Sequence, residues 1–139
     1  MDWYYPVLTG VIQSTEGLNH LEAQRAEFGI PQKGIRCVSD RPWVTTAETC
    51  ECAMAYLAVG ERNDGAELFT KIQDYRDHNG RYLTGVVYPE EVPFPENEFS
   101  TYSAAAVILT ADAFLERTEA NGIFADHDFL PSLIDSAQN

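Results

Sequence analysis

Basic residues are scarce in this chain: nine Lys and Arg stand against 22 Asp and Glu, for a net charge of −13. Nucleic acid and anionic membrane surfaces both need a basic footprint, so neither is expected as a partner. Long apolar runs are also missing. No stretch of about 18 apolar residues occurs, which argues against a membrane-spanning helix. The opening residues, MDWYYPVLTG, have no basic region and no small-residue cleavage site, so they do not read as a secretory signal. A cytoplasmic location is the expectation. Cysteine is limited to Cys37, Cys50 and Cys52. An odd count with two on one helical stretch is not a disulfide framework. Cys50 and Cys52 point about 200° apart on a helix and do not share a metal, so they read as buried free thiols.

A length of 139 residues predicts one domain, and 45% hydrophobic residues suffice for a core. The most informative stretch is Arg36 to Val59. From Trp43 to Val59 the only charged residues are Glu48 and Glu51. Three apart on a helix, they share a face that Val44 and Ala55 continue as largely apolar.

The pattern predicts a first helix over 2–14 and an amphipathic second helix over 15–28, on which Leu18, Leu21, Arg25 and Phe28 repeat at threes and fours. An extended piece over 35–39 leads into a helix over 43–59. Its start is marked by Asp40 and Pro42, or by a capping box at Thr45 and Glu48. A second amphipathic helix follows over 65–77. Arg81 to Tyr88 reads as a short strand. PEEVPFPENE, with three prolines, reads as a surface loop. Ser100 or Thr101 caps a charge-poor helix over 100–117, and a short helix is expected over 131–137.

Three nearly uncharged helices thus alternate with two amphipathic ones. The expected fold is all-α: inner and outer helices of an α/α toroid, about three helical hairpins, with a short β-hairpin or extended insert near 81–88. Residues 1–120 form the helical-hairpin domain and 121–139 a C-terminal tail. The inner helices begin DWYYPVLTG, DRPWVTTAE and EFSTYSAAA, each an acid, then aromatics, then hydroxyl and small residues. Parallel N-termini would bring these groups and their positive helix ends to one rim.

WYYPVLTG, GIRCVSDRPWVTTAETCE, GRYLTGVVYPEE and FPENEFSTYSAAAVILTADAF resemble bacterial prenyltransferase-like or squalene-cyclase-like proteins. The resemblance covers about residues 2–117 and points to the C-terminal half of those α/α toroids. It implies a toroid fold and isoprenoid chemistry of the transferase or cyclase kind. The enzyme signatures are absent. Nothing matches the Asp-rich acid motif of the cyclases, and Asp40, Cys37 and His78 lack the spacing of the prenyltransferase zinc site. No cofactor or metal is expected.

Glu48, Glu51 and Asp40 are the candidate catalytic residues. Glu48 and Glu51 would serve as a general acid–base pair. The slightly preferred ordinary reading has both acids stabilise a helix N-terminus and bond Arg36, Arg41 or Arg81. Trp3, Tyr4, Tyr5, Trp43, Tyr82, Tyr88 and Tyr102 form a candidate ligand-binding set with Thr101. Their π faces suit carbocations or sugar rings, although each alone reads more readily as core. Arg36 and Arg41, beside Asp40, would hold an anionic ligand at a helix N-terminus, against a structural Asp cap with Arg partners.

The leading functional expectation is therefore a small organic ligand, isoprenoid or anionic, in a concave aromatic cleft. The first alternative is a carbohydrate-active toroid using Glu48 and Glu51 as acid and base. The second is a non-catalytic assembly module. A half-toroid exposes its concave face, so a homodimer or a missing N-terminal half is expected to cover it.

Overall fold

The structure, a computed structural model, describes residues 2–128. The helix expected over 131–137 lies outside the described residues, as does most of the 121–139 tail.

The expected 2–14 helix is much shorter. A 3-10 turn at Asp2–Tyr4 runs into α1, Tyr5–Leu8, with Pro6 in its first turn. Gly10, at φ +72°, breaks the helix there, a conformation that glycine adopts without strain. α2, Ser14–Phe28, follows, and the chain then turns through a small antiparallel pair, β1 (Gly29–Ile30) with β2 (Gly34–Ile35).

β3 (Trp43–Thr45) leads directly into α3 (Thr46–Ala58), and α4 (Arg62–Lys71) is extended by a 3-10 turn, Ile72–Tyr75. β4 (Gly85–Val87), β5 (Val92–Phe94) and α5 (Thr101–Leu115) complete the order. β3, β4 and β5 form an antiparallel sheet with β4 in the middle, in the register Trp43↔Val87, Val44↔Val86, Thr45↔Gly85 and Gly85↔Phe94, Val86↔Pro93, Val87↔Val92.

The fold is therefore mixed α/β, and the all-α toroid is corrected. The correction has three physical causes. Trp43, Val44 and Thr45 are aromatic and β-branched, and they pair with β4 rather than starting a helix. The proline-rich stretch does form a strand, because β5 is the sheet edge, where Pro93 need not donate to a neighbour. The charge-poor helices also differ in burial. α3 is buried nearly all round, whereas α5 buries one face through Ser103, Ala106, Val107, Thr110, Ala113 and Phe114. Its other face leaves Tyr102, Ile108 and Leu115 exposed, so α5 is not an inner helix here.

α3 is the element on which the rest packs: α1, α4, α5 and the end of β2 all lie against it. Gly65 allows α4 close in, since a Cβ there would meet the Ala53 carbonyl oxygen at 2.5 Å. Thr49 ties α3 to β2. Its Oγ1 accepts from the Ile35 N–H at 2.9 Å and donates to the Thr45 carbonyl at 2.7 Å. The Thr110 hydroxyl of α5 lies 2.8 Å from the Ala106 carbonyl and 3.3 Å from that of Cys50 in α3.

The helix ends follow from local chemistry. Ser100 caps α5, its Oγ accepting from the Ser103 N–H at 3.1 Å. Asp112 closes the other end by accepting from the Arg117 and Thr118 N–H groups. The capping box expected at Thr45 and Glu48 does not form. The Thr45 hydroxyl is buried without a partner, and the Thr46 N–H donates instead to the Thr84 carbonyl at 3.0 Å.

Candidate functional site

Glu51 sits midway along α3 and faces the gap between α1 and α5. Three tyrosine hydroxyls donate to its carboxylate. Tyr4 reaches Oε2 at 2.7 Å and Tyr5 the same oxygen at 3.2 Å, while Tyr102 bonds Oε1. The phenols come from opposite ends of the chain, two from the N-terminal turn and one from the start of α5. Rings of Tyr4 and Tyr5 meet edge to face at 5.0 Å, and Trp3 packs edge-on to Tyr4 at 5.2 Å. Tyr4 is fully buried, so its donor has no water to turn to if Glu51 is removed.

The three phenols are held above the ordinary tyrosine range. Burial is the first cause for each. The negative charge of Glu51 and the bond to it add to the shift, partly offset at Tyr5 by Tyr102. The phenols therefore remain donors throughout the neutral range.

This cluster forms one wall of a cavity of about 350 Å³. Tyr5, Thr9, Glu51 and Tyr102 supply its polar groups. The remaining wall is apolar, made by Leu8, Met54, Ala105, Ala106, Leu109 and Phe124. A concave apolar surface with one carboxylate and a few hydroxyls can orient a small polar ligand.

Glu48 lies one turn earlier on α3. It is nearly buried, at 9% exposure, and its carboxyl makes no hydrogen bond or ion pair among the described residues. It does not line the cavity, but its charge acts on the Tyr4 hydroxyl and on the Cys37 and Cys50 thiols. Burial pushes the Cys50 thiol up to about 12, with both glutamates adding to the effect.

The structure gathers Tyr4, Tyr5, Glu51 and Tyr102 from the expected set and leaves the others apart. Asp40 and Arg41 are exposed, 3.9 Å apart, in the loop before β3, and neither caps α3. Arg36 uses its guanidinium on the Ser39 carbonyl at 2.7 Å and on the Glu27 carbonyl. Neither Arg36, Arg41 nor Arg81 pairs with Glu48 or Glu51. Trp43 stacks on Phe94 at 4.4 Å within the sheet. The Tyr82 hydroxyl donates to Gln73 at 2.8 Å, and Tyr88 lies just beyond β4. Thr101 is exposed at the start of α5, and the Trp3 ring packs on Phe28. His20 and His127 each bond a backbone carbonyl, of Trp3 and Val7 respectively.

Sequence reasoning missed the apolar wall. Leu8 stands three after Tyr5, Met54 three after Glu51, and Ala105, Ala106 and Leu109 three, four and seven after Tyr102. Helical spacing from the polar cluster was thus a usable signal. Nothing in the sequence marks Phe124. Among the described residues no group of three or more His, Cys, Asp or Glu is placed to hold a metal, and no helix is long and apolar enough to cross a membrane.

No protein-family model matches the chain. Over 128 residues, 92% of its length, it is 42% identical to an MMP endo-(1,4)-3-O-methyl-alpha-D-mannosidase of Mycolicibacterium hassiacum. That match spans 35% of the mannosidase, so the chain corresponds to about a third of its relative's length. The relative is a glycoside hydrolase by name, which overturns the resemblance to prenyltransferase-like and squalene-cyclase-like proteins and the isoprenoid ligand that came with it.

Proposed function

We propose that the chain carries part of a carbohydrate-active site that takes (1,4)-linked 3-O-methyl-α-D-mannosides, with Glu51 as the carboxylate that faces the sugar. The observation that carries this reading is the placement of Glu51: a carboxylate bonded by three phenols on the wall of a concave cavity. The 42% identity to the mannosidase supports the substrate class.

Glycoside hydrolysis uses two carboxyl groups, one to protonate the leaving oxygen and one to activate water or attack the sugar. Glu51 suits the second task, because its oxygens are held by donors rather than by a cation. Tyr4, Tyr5 and Tyr102 are positioning residues that fix its orientation. Glu48, one turn earlier on the same helix, does not line the cavity and is given no acid role; that role falls to a group outside the described lining. Asp40, Arg36, Arg41, Trp43, Tyr82 and Tyr88 have no part in this reading. No cofactor enters it, and a cytoplasmic location is retained as part of the proposal.

The test is a titration of the full chain with a (1,4)-linked 3-O-methyl-α-mannoside oligosaccharide, with reducing ends measured in the same samples. Saturable binding, with cleavage that Glu51→Gln removes, supports the reading. Absence of binding contradicts it.

A second reading concerns α5. Ile108 and Leu115 are 68% and 61% exposed, and a groove of about 440 Å³ runs beside them. Leu109 belongs to both this groove and the Glu51 cavity. We propose that this face is closed by further polypeptide of the kind the mannosidase carries outside the matched region. A second copy is the weaker occupant, because each copy brings a net charge of −13. Sedimentation of the purified chain tests this: a monomer is expected, and a stable dimer that Ile108→Glu dissociates would contradict it.

A further inference from the structure

We propose that residues 119–128 form a strap that opens and closes over the Glu51 cavity, with Phe124 as the part that covers it and His127 as the latch. The inference concerns access to the cavity for any ligand, so it goes beyond the carbohydrate reading and does not depend on it.

Most of the cavity lining comes from the region of α1 and from α3 and α5, and both α1 and α5 pack on α3. Phe124 is the exception. It belongs to no helix or strand and reaches the cavity from beyond the end of α5. Leu8 and Met54 line the same cavity yet are only 6% and 3% exposed, as a covered cavity requires.

The strap is held lightly. Its backbone bonds are local turns, with the Ile123 N–H on the Ala120 carbonyl at 3.1 Å and the Asp126 N–H on the Gly122 carbonyl at 2.9 Å. Ala125 is its one side chain packed against the main core. Among the described residues a single hydrogen bond ties 119–128 to any part of the chain before Thr118: His127 Nε2 donates to the Val7 carbonyl of α1 at 2.8 Å. A segment with few buried groups and one such bond opens at a lower free energy than the helices beneath it.

α1 is shaped to receive the latch. A Cβ at Gly10 would stand 3.2 Å from two carbons of the His127 ring, so glycine leaves the ring its place. The Val7 carbonyl also accepts from the Gly10 N–H at 3.0 Å, so the latch closes on the turn that ends α1. Phe124 lies three residues before His127, and release of the ring from Val7 frees Phe124 to leave the cavity.

The experiment uses the full chain without any sugar. Amide hydrogen exchange reports opening of the strap at Asp126, and exposure of the Met54 and Leu8 methyl groups to a small neutral nitroxide in solution reports opening of the cavity by NMR. His127→Phe keeps a ring beside Gly10 and removes the donor. Loss of one net hydrogen bond predicts roughly two- to tenfold faster exchange at Asp126, with the α3 amide of Ala55 unchanged. The nitroxide should then broaden the Met54 and Leu8 signals more, and leave Ile35 as it was. Phe124→Ala should raise the same broadening while changing Asp126 exchange far less. Exchange at Asp126 and Ala55 that accelerates together in His127→Phe would make the bond part of global stability and overturn the latch. Unchanged Asp126 exchange in that variant overturns it too. Methyl signals that neither variant alters overturn the strap as a cover for the cavity, and the carbohydrate reading is untouched by any of these results.

Discussion

The Tyr4 hydroxyl donates to the Glu51 carboxylate at 2.7 Å across 47 residues of sequence. This one bond ties the N-terminal turn to the centre of α3 and sets the direction of the only carboxylate that lines the cavity among the described residues. Its cost and its chemistry can be separated by substitution.

Tyr4→Phe keeps the buried ring and removes the hydroxyl. A buried hydrogen bond to a charged group contributes about 1.5–3 kcal/mol, so a destabilisation of that size is expected in urea unfolding. Tyr102→Phe touches the same carboxylate from a side chain that is more than half exposed, and should cost less than about 1 kcal/mol. Equal costs for the two variants would mean that Tyr4 is held by its ring alone.

Glu51→Gln preserves shape and keeps an oxygen acceptor for the phenols. Hydrolysis, where the full chain shows it, should fall by at least about 100-fold, with sugar binding changed far less. Glu48→Gln, at a carboxyl that does not line the cavity, should change hydrolysis far less than Glu51→Gln does. Loss of binding in Glu51→Gln without loss of turnover would reverse the assignment.

Stability should fall in alkali. Burial raises the Tyr4, Tyr56 and Tyr75 phenols above their ordinary value of 10.0, and raises the Cys50 and Cys52 thiols above 9.0. These groups keep their protons in the folded chain and lose them first when it unfolds. Their contribution is complete below about pH 9 and declines as pH rises through the folded values, because the folded state then binds more protons than the unfolded one. Melting temperature measured from pH 8 to pH 11 should be level at first and then drop. A flat profile to pH 11 would contradict it.

Thiol access follows from the same burial. Cys50 and Cys52 are fully enclosed and Cys37 is partly exposed. Ellman's reagent should find at most one reactive thiol in the native chain and all three in denaturant. Rapid reaction of all three without denaturant would show that α3 is not packed as described.

Part of this was legible in the sequence. Glu51 stood out because a charge on an otherwise apolar helix needs a partner, and Tyr4, Tyr5 and Tyr102 stood out as aromatics at helix starts. The partners proved to be one another rather than the arginines. The expected rim of Trp3, Tyr4, Tyr5, Trp43, Tyr82, Tyr88 and Tyr102 assumed that three helices begin side by side, and only Tyr4, Tyr5 and Tyr102 of that set meet at Glu51. Trp43 instead belongs to a strand, where its ring meets Phe94. β5 was hidden by its prolines, which disfavour a strand everywhere except at an edge. The exposed side of α5 was hidden too, since composition cannot distinguish a helix covered on both faces from one whose second face is bare. Leu8, Met54 and Leu109 carry no chemical mark of their own, and their helical spacing from Tyr5, Glu51 and Tyr102 is the one signal that places them in the cavity wall.

The most direct measurement is methyl-detected NMR of the 13C-labelled chain during titration with a (1,4)-linked 3-O-methyl-α-mannoside. The account predicts that the Leu8, Met54 and Leu109 methyl signals shift together and saturate. Shifts confined to Ile30 and Leu68, which line a separate pocket with Arg25, or no shifts at all, would contradict it.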